Sequence, residues 1–233
     1  MLRLIKSFIR QHPALYFSIV GRRESVKRLR AHKNTELVVE AFPRSANTTS
    51  VLALFHAQGE SFRVGHHLHV PAHIKYAVKH AIPCLVIMRN PLDCVASLMV
   101  MRKGGTPSHL LKDYIDFARV VERCLHEVVV ADFEDITQRG MGFAIEAVNS
   151  KYKTEFIVPS GSDEEQQWVS KRVSELNEIY SAGDEESLSI PTAAKHGKAE
   201  QMKQRIRRES SAELKTAEAL YARLVNPAES VLK

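Results

Sequence analysis

Hydrophobic residues follow two patterns along this chain: short apolar runs, and longer stretches with helical spacing. The runs are T-E-L-V-V-E-A-F at 35–42, S-F-R-V-G at 61–65, P-C-L-V-I-M at 83–88 and H-E-V-V-V-A-D-F at 126–133. Runs of this kind are typical of buried strands, and the intervening spacing is that of helices. Strands that alternate with helices predict an α/β fold, a single domain whose mainly parallel sheet is flanked by helices.

The pattern divides the chain into a basic helical segment, 1–34, and an α/β domain, 35–225. Six further helices are predicted, at 48–58, 72–80, 92–101, 108–125, 141–153 and 163–180. Residues 181–197 are poor in apolar side chains, which favours either a mobile loop that closes over a ligand or a plain solvated loop. The remaining residues predict a charged helix that ends near Asn226-Pro227. An acidic turn, E-D-I-T, is expected directly after the fourth strand.

Charge and composition narrow the choice of ligands and location. The 233 residues are 44% hydrophobic with a net charge of +6, which favours an anionic ligand without indicating nucleic acid. No stretch approaches the ~18 to 20 apolar residues of a membrane span, so a cytoplasmic location is expected. The basic amphipathic start, M-L-R-L-I-K-S-F-I-R, either packs on the domain or makes a peripheral membrane contact. Three separated cysteines, Cys84, Cys94 and Cys124, are predicted to be buried reduced thiols.

The turn after the first strand carries the first candidate chemistry. It reads P-R-S-A-N-T-T at 43–49 and leads into a helix, with one cation at Arg44. Helix N-termini bind anions because their first amides are unpaired and the helix dipole is positive there. The same residue types also form ordinary N-caps, so a capped helix with an incidental arginine is the alternative. The turn lacks the Gly-Lys pair of an ATP-binding P-loop.

A second turn of the same type follows the third strand, R-N-P-L-D-C-V-A-S at 89–97. Arg89 and Ser97 are eight residues apart (97 − 89), two helical turns, so together they can clasp a phosphate through charge-assisted hydrogen bonds. Asp93 is interpreted as a charge that stabilises the helix N-terminus. Two anion sites on one sheet edge suit a nucleoside with phosphates at both ends.

Taken in order, these motifs resemble the sulfotransferases that use 3′-phosphoadenosine 5′-phosphosulfate (PAPS). The first turn is similar to their 5′-phosphosulfate loop, P-K/R-S-G-T/N-T, and the second to their 3′-phosphate motif, R-D/N-P-x-D-x-x-x-S. The stretch A-D-F-E-D-I-T at 131–137 resembles their Y-E-D-L element, and H-H-L-H-V-P at 66–71 falls where the family has a histidine before an apolar residue and proline. K-H-G-K at 195–198 resembles their basic C-terminal loop.

The resemblance implies a fold related to P-loop nucleotide kinases and transfer of a sulfuryl group from PAPS to an acceptor hydroxyl or amine, with no metal required. It implies a 5′-phosphosulfate site formed by Arg44, Ser45, Ala46, Asn47, Thr48 and Thr49. It implies a 3′-phosphate site at Arg89 and Ser97, with Lys195 and Lys198 reaching a phosphate and Phe133 near the adenine. Arg44 would also stabilise charge on the leaving phosphosulfate oxygens.

Histidine is the expected general base, because its unperturbed pKa lies nearest neutral pH. His67 fits the distance to the Arg89 motif, His69 fits the local His-Val-Pro context, and His66 is a third option. The cluster also reads as a structural strand end or as a His-x-His zinc pair that lacks a third ligand.

Two positions depart from the family pattern. Ala46 replaces the usual glycine, so the turn must avoid a positive φ there or carry strain. Thr49 replaces an adenine-stacking tryptophan, and the only tryptophan, Trp168, is predicted to serve packing.

Two other functions stay open from the sequence, a P-loop-type phosphotransferase and a non-catalytic domain of the same fold that binds an anion or a partner. The acceptor, whether carbohydrate, lipid or small alcohol, and the oligomeric state are not specified.

Overall fold

The structure, a computed structural model, describes residues 2–181 and 193–226. Its strands are β1 Leu37–Ala41, β2 Val64–His66, β3 Cys84–Met88 and β4 Val129–Asp132. Its helices are α1 Leu2–Gln11, α2 Pro13–Ile19, α3 Glu24–Lys27, α4 Asn47–Gln58, α5 Pro71–Lys79, α6 Pro91–Met101, α7 Pro107–Arg123, α8 Phe133–Arg139, α9 Gly142–Tyr152, α10 Asp163–Ser181, α11 Ala193–Glu209 and α12 Ser211–Val225.

The four strands form one sheet in the order β2-β1-β3-β4, and every pairing in it is parallel. In the register, Val39 of β1 lies opposite His66 of β2 on one side and Leu85 of β3 on the other. The carboxyl ends of all four strands therefore lie along one edge, called the carboxyl edge below. The predicted α/β class, with a parallel sheet flanked by helices, is confirmed.

Alternate residues of each strand pack on opposite faces of the sheet. Val86 and Met88 join the cluster formed with α5, α6, α7 and α12, whereas Leu85 and Ile87 join the cluster formed with α4, α8 and α9. Both faces are thus covered by helices. Coverage on both sides explains why the central strands read as continuous apolar runs rather than alternating ones.

The N-terminal segment is divided into three short helices. The first break occurs because Pro13 starts a new helix after His12, which has extended backbone angles. Proline has no N–H to continue the preceding helix and fits the first turn of the next. No helix in residues 2–181 or 193–226 combines the length and apolar character needed to cross a membrane.

Two predictions about loops were wrong in part. The E-D-I-T stretch lies inside α8, which Asp132 caps by accepting a hydrogen bond from the Glu134 amide at 3.2 Å. Residues 193–197 belong to α11 rather than to a loop, and the rest of that predicted loop, 182–192, lies outside the described residues. The predicted C-terminal helix is two helices, α11 and α12.

Candidate functional site

The carboxyl edge gathers the predicted site residues from all four strands. Arg44 follows β1, His67 and His69 follow β2, Arg89 follows β3, and Phe133 follows β4. Because the strands are parallel neighbours, turns that are far apart in the chain meet here. The polar turns after β1, β2 and β3 therefore share one rim of the sheet.

The Arg44 side chain contacts two residues of α6. Its Nε donates to Ser97 Oγ at 3.1 Å, and its Nη1 lies 3.9 Å from the sulfur of Met101, one turn further along α6. Ser97 is thus paired with Arg44, and the joint contact of Arg89 and Ser97 with a phosphate stays a prediction. The backbone of Arg44 is left-handed, with φ 73°.

Arg89 lies beside Arg44 and joins two strand ends. Its Nη1 donates to the Arg44 carbonyl at 2.7 Å, and its guanidinium lies 4.2 Å from the ring centre of Phe133, a cation–π contact. The hydroxyl of Tyr114 donates to the Arg89 carbonyl at 2.8 Å and fixes its backbone. Burial, and then the positive charge of Arg89, lower the pKa of Arg44 from its ordinary value. The two arginines thus create a positive potential that a bound anion would relieve.

The other side chains of the first turn divide into inward-facing and accessible groups. Ser45 is buried with its hydroxyl 3.4 Å from the sulfur of Cys94, and Asn47 is buried with its amide donating to the Val39 carbonyl at 3.3 Å. Thr48 and Thr49 lie nearer the surface, where the Thr49 hydroxyl donates to the Ala46 carbonyl at 2.9 Å. The side chains of Ser45 and Asn47 therefore support the turn from below.

Left-handed backbone is concentrated at this edge. Among the described residues seven non-glycine positions have positive φ, and four of them are Arg44 (73°), Ala46 (58°), His67 (57°) and His69 (53°). Such a conformation costs an L-residue about 1–2 kcal/mol, and strained residues of this kind cluster at functional sites. The sequence left two outcomes for Ala46, which stands where glycine was expected: no positive φ, or backbone strain. Its positive φ shows that the second outcome applies.

His66 and His67 form a tightly coupled pair that is ill suited to proton transfer at neutral pH. Their Nδ1 atoms lie 2.5 Å apart, and Nε2 of His67 lies 3.0 Å from the Thr48 hydroxyl. Burial lowers the pKa of His66 to about 4 and that of His67 to about 3. Both nitrogens of His67 are engaged, so this ring links the β2 turn to α4.

His69 has the geometry of a base. Its Nδ1 lies 2.8 Å from the Ala41 carbonyl, and because a carbonyl only accepts, Nδ1 carries the proton in the neutral ring. Nε2 is then the nitrogen with the lone pair. Of the three candidate histidines, His69 is the one whose contacts assign that tautomer.

A buried carboxylate, which sequence reasoning missed, holds the His69 turn in place. Glu40 on β1 accepts hydrogen bonds from the amides of Leu68 at 3.1 Å and His69 at 2.9 Å. It also accepts from Nδ1 of His73 on α5 at 2.7 Å. The visible signal was an acidic residue inside an otherwise apolar strand, which demands partners when buried.

The network continues from His73 to the segment before β1. Nε2 of His73 accepts from the Ala31 amide at 2.8 Å, which leaves Nδ1 as the protonated nitrogen facing Glu40. Gly65 of β2 makes room for this bond, because a Cβ there would lie 2.9 Å from His73 Nε2 and 3.1 Å from the Ala31 nitrogen. Arg10 of α1 completes the arrangement by donating to the His69 carbonyl at 2.8 Å.

The predicted basic residues of the C-terminal region lie on α11. Lys203 of this helix pairs at 2.6 Å with Asp93, in the first turn of α6, so α11 is docked beside the Arg89 turn. Lys195 is half-buried and Lys198 exposed, both toward the start of α11. Their contact with a phosphate stays a prediction. Trp168 packs its ring 5.1 Å from that of His56 on α4, in agreement with a packing role.

The cysteines and potential metal ligands complete the description. Cys84 and Cys94 are buried and Cys124 is half-buried, all as free thiols. Burial raises the pKa of Cys94 to about 11, so its thiol is neutral and donates to the Pro43 carbonyl at 3.0 Å. Within residues 2–181 and 193–226, no group of three or more His, Cys, Asp or Glu side chains is arranged to hold a metal ion.

Comparison with known proteins shows a distant structural likeness and no match by sequence. No protein-family model matches the chain, and no curated protein matches it by sequence. Among solved structures it is similar to mouse sulfotransferase SULT7A1 complexed with PAP, at 11% identity and a TM-score of 0.43. The match covers 82% of this chain and 91% of that one. A likeness this distant assigns neither a family nor a ligand to the chain.

Proposed function

We propose that this chain is a sulfotransferase that moves a sulfuryl group from PAPS to a hydroxyl or amine of an acceptor. The observation that carries the proposal is the pairing of Arg44 with Ser97, with Arg89 beside them, at the ends of the two central strands. Two neighbouring arginines and a hydroxyl are suited to a ligand that carries several anionic phosphate and sulfate oxygens.

Each end of the ligand has a matching set of groups. The first amides of α4 and the Arg44 guanidinium would hold the 5′-phosphosulfate, since helix N-termini and arginine both favour anions. Arg89 would hold the 3′-phosphate, and Phe133, already in contact with Arg89, would lie beside the adenine. Arg44 and Arg89 adjoin, which is compatible with phosphates attached to one nucleoside.

In the proposed reaction His69 acts as the general base. Its Nε2 takes the acceptor proton while the acceptor oxygen or nitrogen forms a bond to sulfur. The bond between sulfur and the 5′-phosphate oxygen breaks, and its electron pair stays on that oxygen, which leaves adenosine 3′,5′-bisphosphate. Arg44 neutralises the charge that develops on this oxygen. The tautomer assigned by the Ala41 contact supports His69 over His67 for this role.

Calorimetric titration with adenosine 3′,5′-bisphosphate tests the binding half of the proposal. Arg89→Lys keeps the charge but removes the planar fork, so we expect affinity to fall about tenfold. Arg119→Ala, on the exposed side of α7, is the matched control and should bind like the parent. The proposal would be contradicted if a folded sample released no heat, or if the parent and Arg89→Lys bound the bisphosphate with equal affinity.

Labelled PAPS incubated with cell extract tests the transfer half and identifies the acceptor. His69→Asn should keep bisphosphate affinity and lower the rate of labelling by about 10²–10⁴. Binding without labelling of any acceptor would point to a non-catalytic domain, and magnesium-dependent turnover of ATP would point to a phosphotransferase.

A further inference from the structure

The first two helices bury some of their apolar side chains, such as Tyr16, and leave others exposed to solvent. Of the seven large apolar side chains that are exposed among the described residues, four are Ile5 (51%), Phe8 (55%), Leu15 (39%) and Ile19 (56%). Ile5 and Phe8 are three residues apart on α1, and Leu15 and Ile19 are four apart on α2, so each pair shares one helix face. These four residues are called the N-terminal apolar stripe below.

The opposite side of α1 is fixed to the domain by polar contacts. Ser7 donates to Asp116 of α7 at 2.7 Å, and Arg10 donates to the His69 carbonyl at 2.8 Å and lies 3.7 Å from Asp113. Gln11 donates back to the Ser7 hydroxyl at 3.1 Å. A helix normally turns its apolar face to the core. In α1, Ile9 packs on Tyr16, Val70 and Ala72, whereas Ile5 and Phe8 stay exposed and available to a surface outside the domain.

The charge around the N-terminal apolar stripe indicates the kind of surface that the stripe binds. Residues 1–23 contain five basic residues and no acidic one, and Lys6, Arg22 and Arg23 are exposed. Apolar side chains that insert between lipid tails, flanked by cations that meet anionic headgroups, are the pattern of helices that lie in a membrane interface. A second copy of this chain would bring two strongly basic surfaces together, which opposes self-association through the stripe.

We propose that the N-terminal apolar stripe docks the protein on an anionic lipid bilayer, with α1 and α2 lying in the interface. The headgroups attract Lys6, Arg22 and Arg23, and the four apolar side chains leave water for the acyl boundary. Arg10 donates to the His69 carbonyl and is not one of the four stripe residues, so docking leaves the His69 turn intact.

Flotation of the full chain with phospholipid vesicles tests the proposal. We expect binding to vesicles of phosphatidylcholine mixed with phosphatidylglycerol, and loss of that binding as salt is added. The double variant Phe8→Glu/Ile19→Glu should weaken binding on the order of a hundredfold, because two large side chains no longer enter the bilayer. Both side chains are exposed, so its thermal unfolding should match the parent.

Matched controls distinguish vesicle binding through the N-terminal apolar stripe from nonspecific hydrophobic adsorption. Ile179→Glu removes an equally exposed apolar side chain on α10 and should bind vesicles like the parent. Lys6→Glu/Arg22→Glu should lose binding, whereas Lys171→Glu, an exposed lysine of α10, should keep it.

Three results would overturn the proposal: no flotation of the parent, equal loss for Phe8→Glu/Ile19→Glu and Ile179→Glu, or binding that ignores phosphatidylglycerol and salt. Light scattering gives a further check, since a parent dimer that Phe8→Glu/Ile19→Glu converts to a monomer would make the stripe a contact between copies instead.

Discussion

Glu40 and His73 form a hydrogen-bonded pair, 2.7 Å between Oε1 and Nδ1, in which both side chains are fully removed from solvent. The contact joins β1 to α5, and Glu40 also accepts hydrogen bonds from the amides of Leu68, His69 and Ala41. A buried carboxylate is costly unless it is fully hydrogen-bonded. Glu40 therefore ties the backbone of the proposed base to the centre of the sheet.

The first prediction concerns Glu40→Gln. In glutamine, an NH₂ group replaces one of the two carboxylate oxygens. This NH₂ group would face N–H groups that now donate hydrogen bonds to Glu40. We expect the free energy of unfolding in urea to fall by about 2–4 kcal/mol, because buried donors lose their partner. Glu36→Gln, next to β1 but in a partly exposed pair with Arg63, should cost less than about 1 kcal/mol. Equal losses in the two variants would contradict a special role for the buried carboxylate.

The position of the site could be predicted from the sequence, because the ends of the strands could be predicted from it. Arg44 and Arg89 each follow a run of buried apolar residues, and parallel pairing then brings them to one edge. The directions of the side chains could not be predicted from the sequence, because they depend on packing between helices and strands. Arg44 turns to Ser97 on α6, and Glu40 meets His73, 33 residues later on α5, through contacts that no local pattern encodes.

A second prediction uses the close approach at Gly65. A methyl group there would lie 2.9 Å from His73 Nε2, so Gly65→Ala must displace His73 or Ala31. We expect the free energy of unfolding to fall by about 1–3 kcal/mol, the usual range for overpacking. The same substitution at Gly197, in α11 with nothing within 4 Å, should instead raise it by up to about 1 kcal/mol. Changes of the same sign at both sites would contradict the steric account.

The third prediction is a pH dependence that arises from the His66–His67 pair. Burial holds the folded-state pKa values at about 4 and about 3, below the ordinary 6.5 that the unfolded chain regains. The unfolded state therefore binds more protons below about pH 6.5, and stability falls as pH drops from there toward pH 3. His67→Gln removes one titrating group and should flatten this slope, measured by urea unfolding at several pH values. His126→Gln, at an exposed position, should keep it. Superimposable slopes for the parent and His67→Gln would refute the assignment.

The last prediction concerns the strain at Ala46, which adopts φ 58° and ψ 18° at the N-cap of α4. Glycine has no Cβ to clash in this left-handed conformation, so Ala46→Gly should raise the free energy of unfolding by about 1 kcal/mol. The gain is partly offset because glycine makes the unfolded chain more flexible. Ala219→Gly, at an exposed position inside α12, makes the unfolded chain more flexible in the same way but relieves no strain. It should lower the free energy of unfolding by about 1 kcal/mol. Opposite signs in urea unfolding support stored strain at the turn, and a loss at both positions would mean that the surrounding contacts already compensate for the backbone of Ala46.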